Sequence, residues 1–79
     1  MYDDIKANVL SLASDVSGMP EDVIRKSGYL CNVMEYEVYM QLIPVLEATF
    51  HIKYGMRKYD IDSIEGLCLL TRDILSVPA

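Results

Sequence analysis

Between Ile5 and Val16 the apolar residues recur three and four apart: Ile5, Val9, Leu12, Ala13 and Val16. That spacing lays one stripe along a helix, because a strand would bring every second residue to the same side. Asp3 and Asp4 stand ahead of the stripe as N-caps, since a short acidic side chain can accept from the unpaired amides there. The stripe stops at Ser17-Gly18, and Pro20 blocks any continuation. A chain that starts this way must find other helices to cover its apolar face.

The remaining segments are read by the same rules. Residues 19–32 have weaker periodicity. Pro20-Glu21-Asp22 opens a single helical turn, and Val23, Ile24, Leu30 and Cys31 tuck a long structured loop onto the core, with a bend at Ser27-Gly28. A second strong helix is expected over 34–50. Val38, Leu42, Val45, Leu46 and Phe50 form its buried stripe, with Glu37, Gln41, Glu47 and Ala48 toward solvent. Pro44 lies inside it, removes the hydrogen bond to the Met40 carbonyl, and is expected to kink or split the helix.

Residues 51–59 are basic and rich in tyrosine around Gly55, which fits a turn or a short helix. The last helix is expected from Asp62-Ser63-Ile64-Glu65, with Asp62 as N-cap and Glu65 closing a capping box. Ile64, Leu67, Cys68, Thr71 and Leu75 then line its inner face, and Ser76-Val77-Pro78-Ala79 frays. No internal repeat or linker interrupts the sequence. The expectation is one domain over 1–79, all-α.

The 79 residues bury only about 60–65% of the surface the unfolded chain exposes. A core this small leaves little material for a deep substrate cleft, so a non-enzyme is expected. The formal charge of -5 and a pI near 4.5 weigh against nucleic acid, which needs clustered Lys and Arg. Apolar runs are too short to span a bilayer. Met1-Tyr2-Asp3-Asp4 has no basic and apolar regions of a secretory signal, so a cytoplasmic location is expected. Cys31 and Cys68 lie among apolar neighbours without CxxC spacing and read as reduced core thiols. With His51 as the one histidine and no cluster of ligands, no metal site is expected. A Cys31–His51 nucleophile pair has nothing in the sequence to orient it.

In order and length these segments resemble the acyl carrier protein family. Ile5, Val9, Leu12 and Gly18 match its first helix and terminator, and Glu21, Asp22 and Ile24 its loop. Leu46, Glu47, Ala48, Thr49 and Phe50 match the end of its second helix, and Ile61, Asp62, Ser63 and Ile64 the opening of its last. The resemblance covers roughly residues 3–76 and implies a four-helix bundle of three longer helices and one short one, with a long loop after the first. It also implies an Asp-Ser-Leu motif at the second helix, whose serine receives 4'-phosphopantetheine. A helix N-terminus suits a phosphate because its amides are free and partially positive.

At that position stands Glu35-Tyr36-Glu37, so Tyr36 occupies the place of the attachment serine and is expected to stay unmodified. The segment 51–59, acidic in the family, carries Lys53, Arg57 and Lys58 instead. The reading is a carrier-like protein of an acyl, fatty-acid, polyketide or peptide pathway that docks on synthase- or transferase-type partners without cargo or cofactor. Two alternatives stay open. One is a functional carrier modified at Ser63, inside the motif-like Asp62-Ser63-Ile64, or at another serine. The other is an unrelated small helical interaction module. Expected partner-binding residues are Glu35, Glu37, Tyr39, Met40 and Glu47, because Tyr and Met are enriched at interfaces. The partner surface is basic or apolar. A second copy of the chain, as a homodimer, is another candidate partner, since Lys53, Arg57 and Lys58 oppose Asp3, Asp4, Glu35 and Glu37 in sign.

Overall fold

A computed structural model describes residues 2–76, and the expected fraying of Val77, Pro78 and Ala79 lies outside them. The described chain is all-helical: α1 (Tyr2–Ser17), α2 (Glu21–Ser27), α3 (Tyr36–Phe50) and α4 (Ile64–Ser76), with 3-10 turns at Leu30–Asn32 and Gly55–Asp60. No described residue belongs to a strand; Tyr29 and Ser63 form a single isolated antiparallel bridge.

α1 buries Ile5, Val9, Leu10 and Ala13, and half-buries Leu12 and Val16 against the same core. It ends as expected. Gly18 takes φ 77°, a left-handed conformation that costs an L side chain energy and glycine little, and its N–H donates to the Ser14 carbonyl at 2.8 Å. α1 packs against each of the other three helices, so its apolar stripe is the scaffold on which they meet.

The region expected as a loop with one helical turn is more ordered than that. Pro20 sits extended at the N-cap position (ψ 146°), its carbonyl accepts from the amides of Val23 and Ile24, and the helix continues to Ser27. Glu21 and Asp22 at its start and Arg25 and Lys26 in its last turn all match the helix dipole. Such charges add only tenths of a kcal/mol. Burial of Ile24 contributes more: it leaves 1% of the residue exposed and is worth about 1.5–3 kcal/mol. Tertiary contact, not propensity, makes this short helix hold.

α3 begins at Tyr36 rather than at 34, because the amides of Val33 and Met34 donate to the Leu30 carbonyl and complete the 3-10 turn before it. Its buried stripe is Tyr39, Leu42, Ile43 and Leu46, rotated from the expected Val38, Leu42, Val45, Leu46 and Phe50. Val45 is 37% exposed, while Val38 and Phe50 pack half-buried against the core. Both sets have helical spacing. The observed one wins because Ile43 fills the interior while Tyr39 finds an acceptor there, its hydroxyl donating to the Lys58 carbonyl at 2.8 Å.

The helix runs through Pro44 without splitting, and Pro44 lies on its exposed side. The missing hydrogen bond to the Met40 carbonyl therefore falls away from the core. The capping box at α4 also differs: the cap is Ser63, whose Oγ accepts from the Gly66 N–H at 2.9 Å. Glu65 instead accepts from the Tyr2 hydroxyl at 2.9 Å and lies 4.0 Å from Lys6, joining the starts of α1 and α4 at the surface. An exposed ion pair of that length contributes little.

Because Pro44 is an exposed interruption in an otherwise continuous helix, Pro44→Ala should stabilise the protein by about 1–3 kcal/mol. Urea unfolding should show a higher midpoint at unchanged slope. A lower midpoint would mean that the proline ring contributes to packing.

Candidate functional site

Two features bring the start of α3 beside the start of α4. Leu30 N–H donates to the Asp62 carbonyl at 2.9 Å, and the Tyr29–Ser63 bridge runs alongside. Between them lies a cleft of about 200 Å³. Leu30, Cys31 and Met34 line it from the 3-10 turn, Glu35, Tyr36 and Tyr39 from α3, and Ile61 and Asp62 from the entry to α4. Its walls are mostly apolar, with two carboxylates and two phenols.

The start of α3 is left open. Glu35 is its N-cap residue in an extended conformation (φ -77°, ψ 159°), and its side chain makes no capping hydrogen bond. The helix's first amides therefore stay available, and the Glu35 carboxylate is free to face a ligand. Tyr36 is 62% exposed. Glu37 is exposed in the same turn. Tyr39 behaves differently: it is 6% exposed and hydrogen-bonded to Lys58, so it forms the floor of the cleft. Burial raises the pKa of its hydroxyl well above the ordinary tyrosine value, and the neighbouring Tyr54 and Tyr36 raise it further.

At the far end of α3 a second, wider groove of about 440 Å³ is lined by Pro44, Glu47, Ala48, His51, Ile52 and Lys53. Glu47 is half-buried here, and its Oε2 accepts from the Tyr54 N–H at 2.8 Å. Its carbonyl accepts from the amides of His51 and Ile52. Glu47 thus anchors the chain reversal after α3, and only part of it faces out. Met40 packs half-buried on the core. Of the expected partner-binding residues, Glu35 and Glu37 are exposed together with Tyr36, while Tyr39, Met40 and Glu47 support the fold. Cys31 and His51 line different cavities, so the structure does not pair them.

Tyr54 is 2% exposed, and its hydroxyl lies 2.7 Å from Thr71 Oγ1. Thr71 donates its own proton to the Leu67 carbonyl at 2.7 Å, which leaves Tyr54 as the donor between them. Burial raises the Tyr54 pKa, which keeps that proton in place. Ser63, the alternative attachment residue, is half-buried and its Oγ is engaged as the α4 cap. Gly66 fits there because a Cβ at that position would come within 3.1 Å of the same oxygen. Among the described residues no group of three or more His, Cys, Asp or Glu is arranged to hold a metal ion. None of the described helices is long and apolar enough to cross a membrane.

The cleft itself has no counterpart among the sequence-based expectations. Cys31 was expected in the core, yet it is exposed at the cleft wall, because the 3-10 turn buries Leu30 and points the next residue outward. The signal available was its neighbour Asn32, a polar residue suited to a turn. No known protein family, curated protein or solved structure matches this chain.

The two thiols should behave as different species. Cys68 is fully buried, and burial followed by the nearby Glu65 pushes its pKa up to about 11, with Lys6 pulling weakly the other way. A bulky thiol reagent at pH 8 should titrate one thiol, Cys31, in the native protein and both after unfolding in urea. Two rapidly reacting thiols in the native protein would contradict this arrangement.

Proposed function

We propose that this chain is a carrier-protein-like module of an acyl, fatty-acid, polyketide or peptide pathway, which docks on partner enzymes without carrying a phosphopantetheine arm. Support comes first from the order of its elements. A long helix, a folded connection, a second long helix, a short 3-10 segment and a final helix follow one another as the acyl carrier family's architecture would have them.

One observation carries the reading. Tyr36 is the first residue of α3, exposed at the helix end where that family presents its serine, and residues 33–38 contain no serine or threonine. A phenol there is a poor replacement. Its oxygen stands several bond lengths further from the backbone, so a phosphodiester at that oxygen would sit away from the helix amides that would otherwise stabilise it. Glu35 and Glu37 flank it, exposed, and keep the helix end negative. Such a surface suits association with a basic or apolar partner face, because complementary charge steers encounter.

The functional-carrier reading at Ser63 draws on its position at a helix N-terminus, after Asp62 and before Ile64. Against it, Ser63 is half-buried and its Oγ already accepts from the Gly66 amide, so the hydroxyl would have to leave that contact to be modified.

The test is to incubate the protein with coenzyme A and a broad-specificity phosphopantetheinyl transferase and measure its intact mass. No change in mass is expected, together with retention on an immobilised carrier-handling synthase or transferase. A gain equal to the arm would overturn the cargo-free reading, and its loss in Ser63→Ala would assign the arm to that serine. An unchanged mass without retention would instead favour the helical interaction module of another kind.

A further inference from the structure

We infer that the cleft between the start of α3 and the entry to α4 receives a single arginine side chain from a protein partner. The inference rests on the reading that this chain acts by being bound, and it names what is inserted and where.

Size comes first. The cleft holds about 200 Å³. That is below the roughly 300 to 1,000 Å³ of small-molecule sites and suits one long side chain. Lining chemistry comes next. Leu30, Met34 and Ile61 give an apolar wall that suits the methylene stem of a long side chain. Tyr36, exposed at the mouth, offers a ring face on which a planar guanidinium can stack.

Charge then decides the head group. Among the described residues Glu35 and Asp62 are the only charged ones lining the cleft. Neither is in a salt bridge with another described residue, and Glu35 does not cap its own helix. Asp62 is exposed, and its main-chain carbonyl, not its carboxylate, accepts from Leu30. The positive end of the α3 dipole opposes a cation here, but it amounts to about half a charge against two full carboxylates. The balance is negative. Lys58, whose carbonyl holds Tyr39 at the cleft floor, has its ammonium engaged elsewhere, over the Tyr59 ring at 5.3 Å. Arginine fits better than lysine, because its fork can address carboxylates while its flat face stacks, and it gives up its hydration more readily. A central aromatic-lined pocket filled by arginine is also the kind of contact that dominates interface energetics.

The experiment is an NMR titration of the full chain, 15N-labelled, with acetyl-arginyl-leucine amide and with its citrulline analogue, which has the same shape and no charge. Arginine should bind about tenfold tighter than citrulline, with amide shifts concentrated at Cys31, Tyr36 and Asp62. A double variant Glu35→Gln with Asp62→Asn should keep a dispersed, folded spectrum and lose the preference. Equal binding of the two peptides would overturn the proposal. So would shifts centred on the Pro44–His51 groove, or a preference that survives in the double variant. The transferase assay is independent of this result. A gain in mass there removes the cargo-free reading and leaves the arginine cleft standing, whereas loss of the preference removes the cleft alone.

Discussion

The hydrogen bond from the Tyr54 hydroxyl to Thr71 lies in the interior of the bundle, and the segments on both sides of it depend on its being made. Tyr54 is the first fully enclosed residue after α3, with its amide tied to the Glu47 side chain and its hydroxyl to α4. One residue therefore joins the end of the second long helix to the middle of the last. Leaving a buried hydroxyl without a partner costs about 1–3 kcal/mol, a large share of what a domain of this size has in hand. Among the described residues no buried side-chain nitrogen or oxygen lacks a partner, so the polar groups enclosed here are used to fix geometry. A second tyrosine repeats the device: Tyr39 reaches from α3 to the Lys58 carbonyl and holds the Gly55–Asp60 turn against the helix.

These anchors make the two ends of α3 unlike. Its C-terminal end is closed. His51 adopts φ 57°, its N–H returns to the Glu47 carbonyl, and the chain turns back into the core at Tyr54. The N-terminal end is open: Glu35 leaves the first amides uncapped, and Tyr36 projects beside the cleft. A rigid helix with one free, acidic, aromatic-edged end is a preorganised surface, and preorganisation lowers the entropy lost on binding. The link from fold to proposed function runs through that asymmetry.

Much of this was legible in the residues, and the exceptions share a cause. The α1 stripe and its Gly18 terminator follow from spacing and from glycine's freedom at positive φ, both local properties. Capping at Ser63 follows from side-chain reach, although whether Asp62 or Ser63 would serve depended on a one-residue shift in the helix start. The phase of α3 is not legible locally: Leu42 and Leu46 belong to either stripe, and Val38, Val45 and Phe50 complete it as regularly as Tyr39 and Ile43 do. Only the acceptors waiting at Lys58 and Thr71 decide that Tyr39 and Tyr54 turn inward. α2 follows a related rule, since two turns of helix persist only where Ile24 is covered. The candidate cleft joins residues about thirty positions apart, Leu30 and Asp62, and no local pattern announces such a contact. Glu35, Tyr36 and Glu37 are singled out by the resemblance to the carrier family, and the structure places them, exposed, at the start of α3.

The central physical claim is that Tyr54 and Thr71 form a coupled pair inside the core, so that Tyr54 belongs to the fold and not to a partner surface. A double-mutant cycle over Tyr54→Phe and Thr71→Val, followed by urea unfolding, measures this directly. The account predicts that Thr71→Val costs more than Tyr54→Phe, because it strands the phenol hydroxyl, and that the double variant loses less than the sum, with a coupling of about 0.5–3 kcal/mol. Effects that add to within about 0.5 kcal/mol would contradict it.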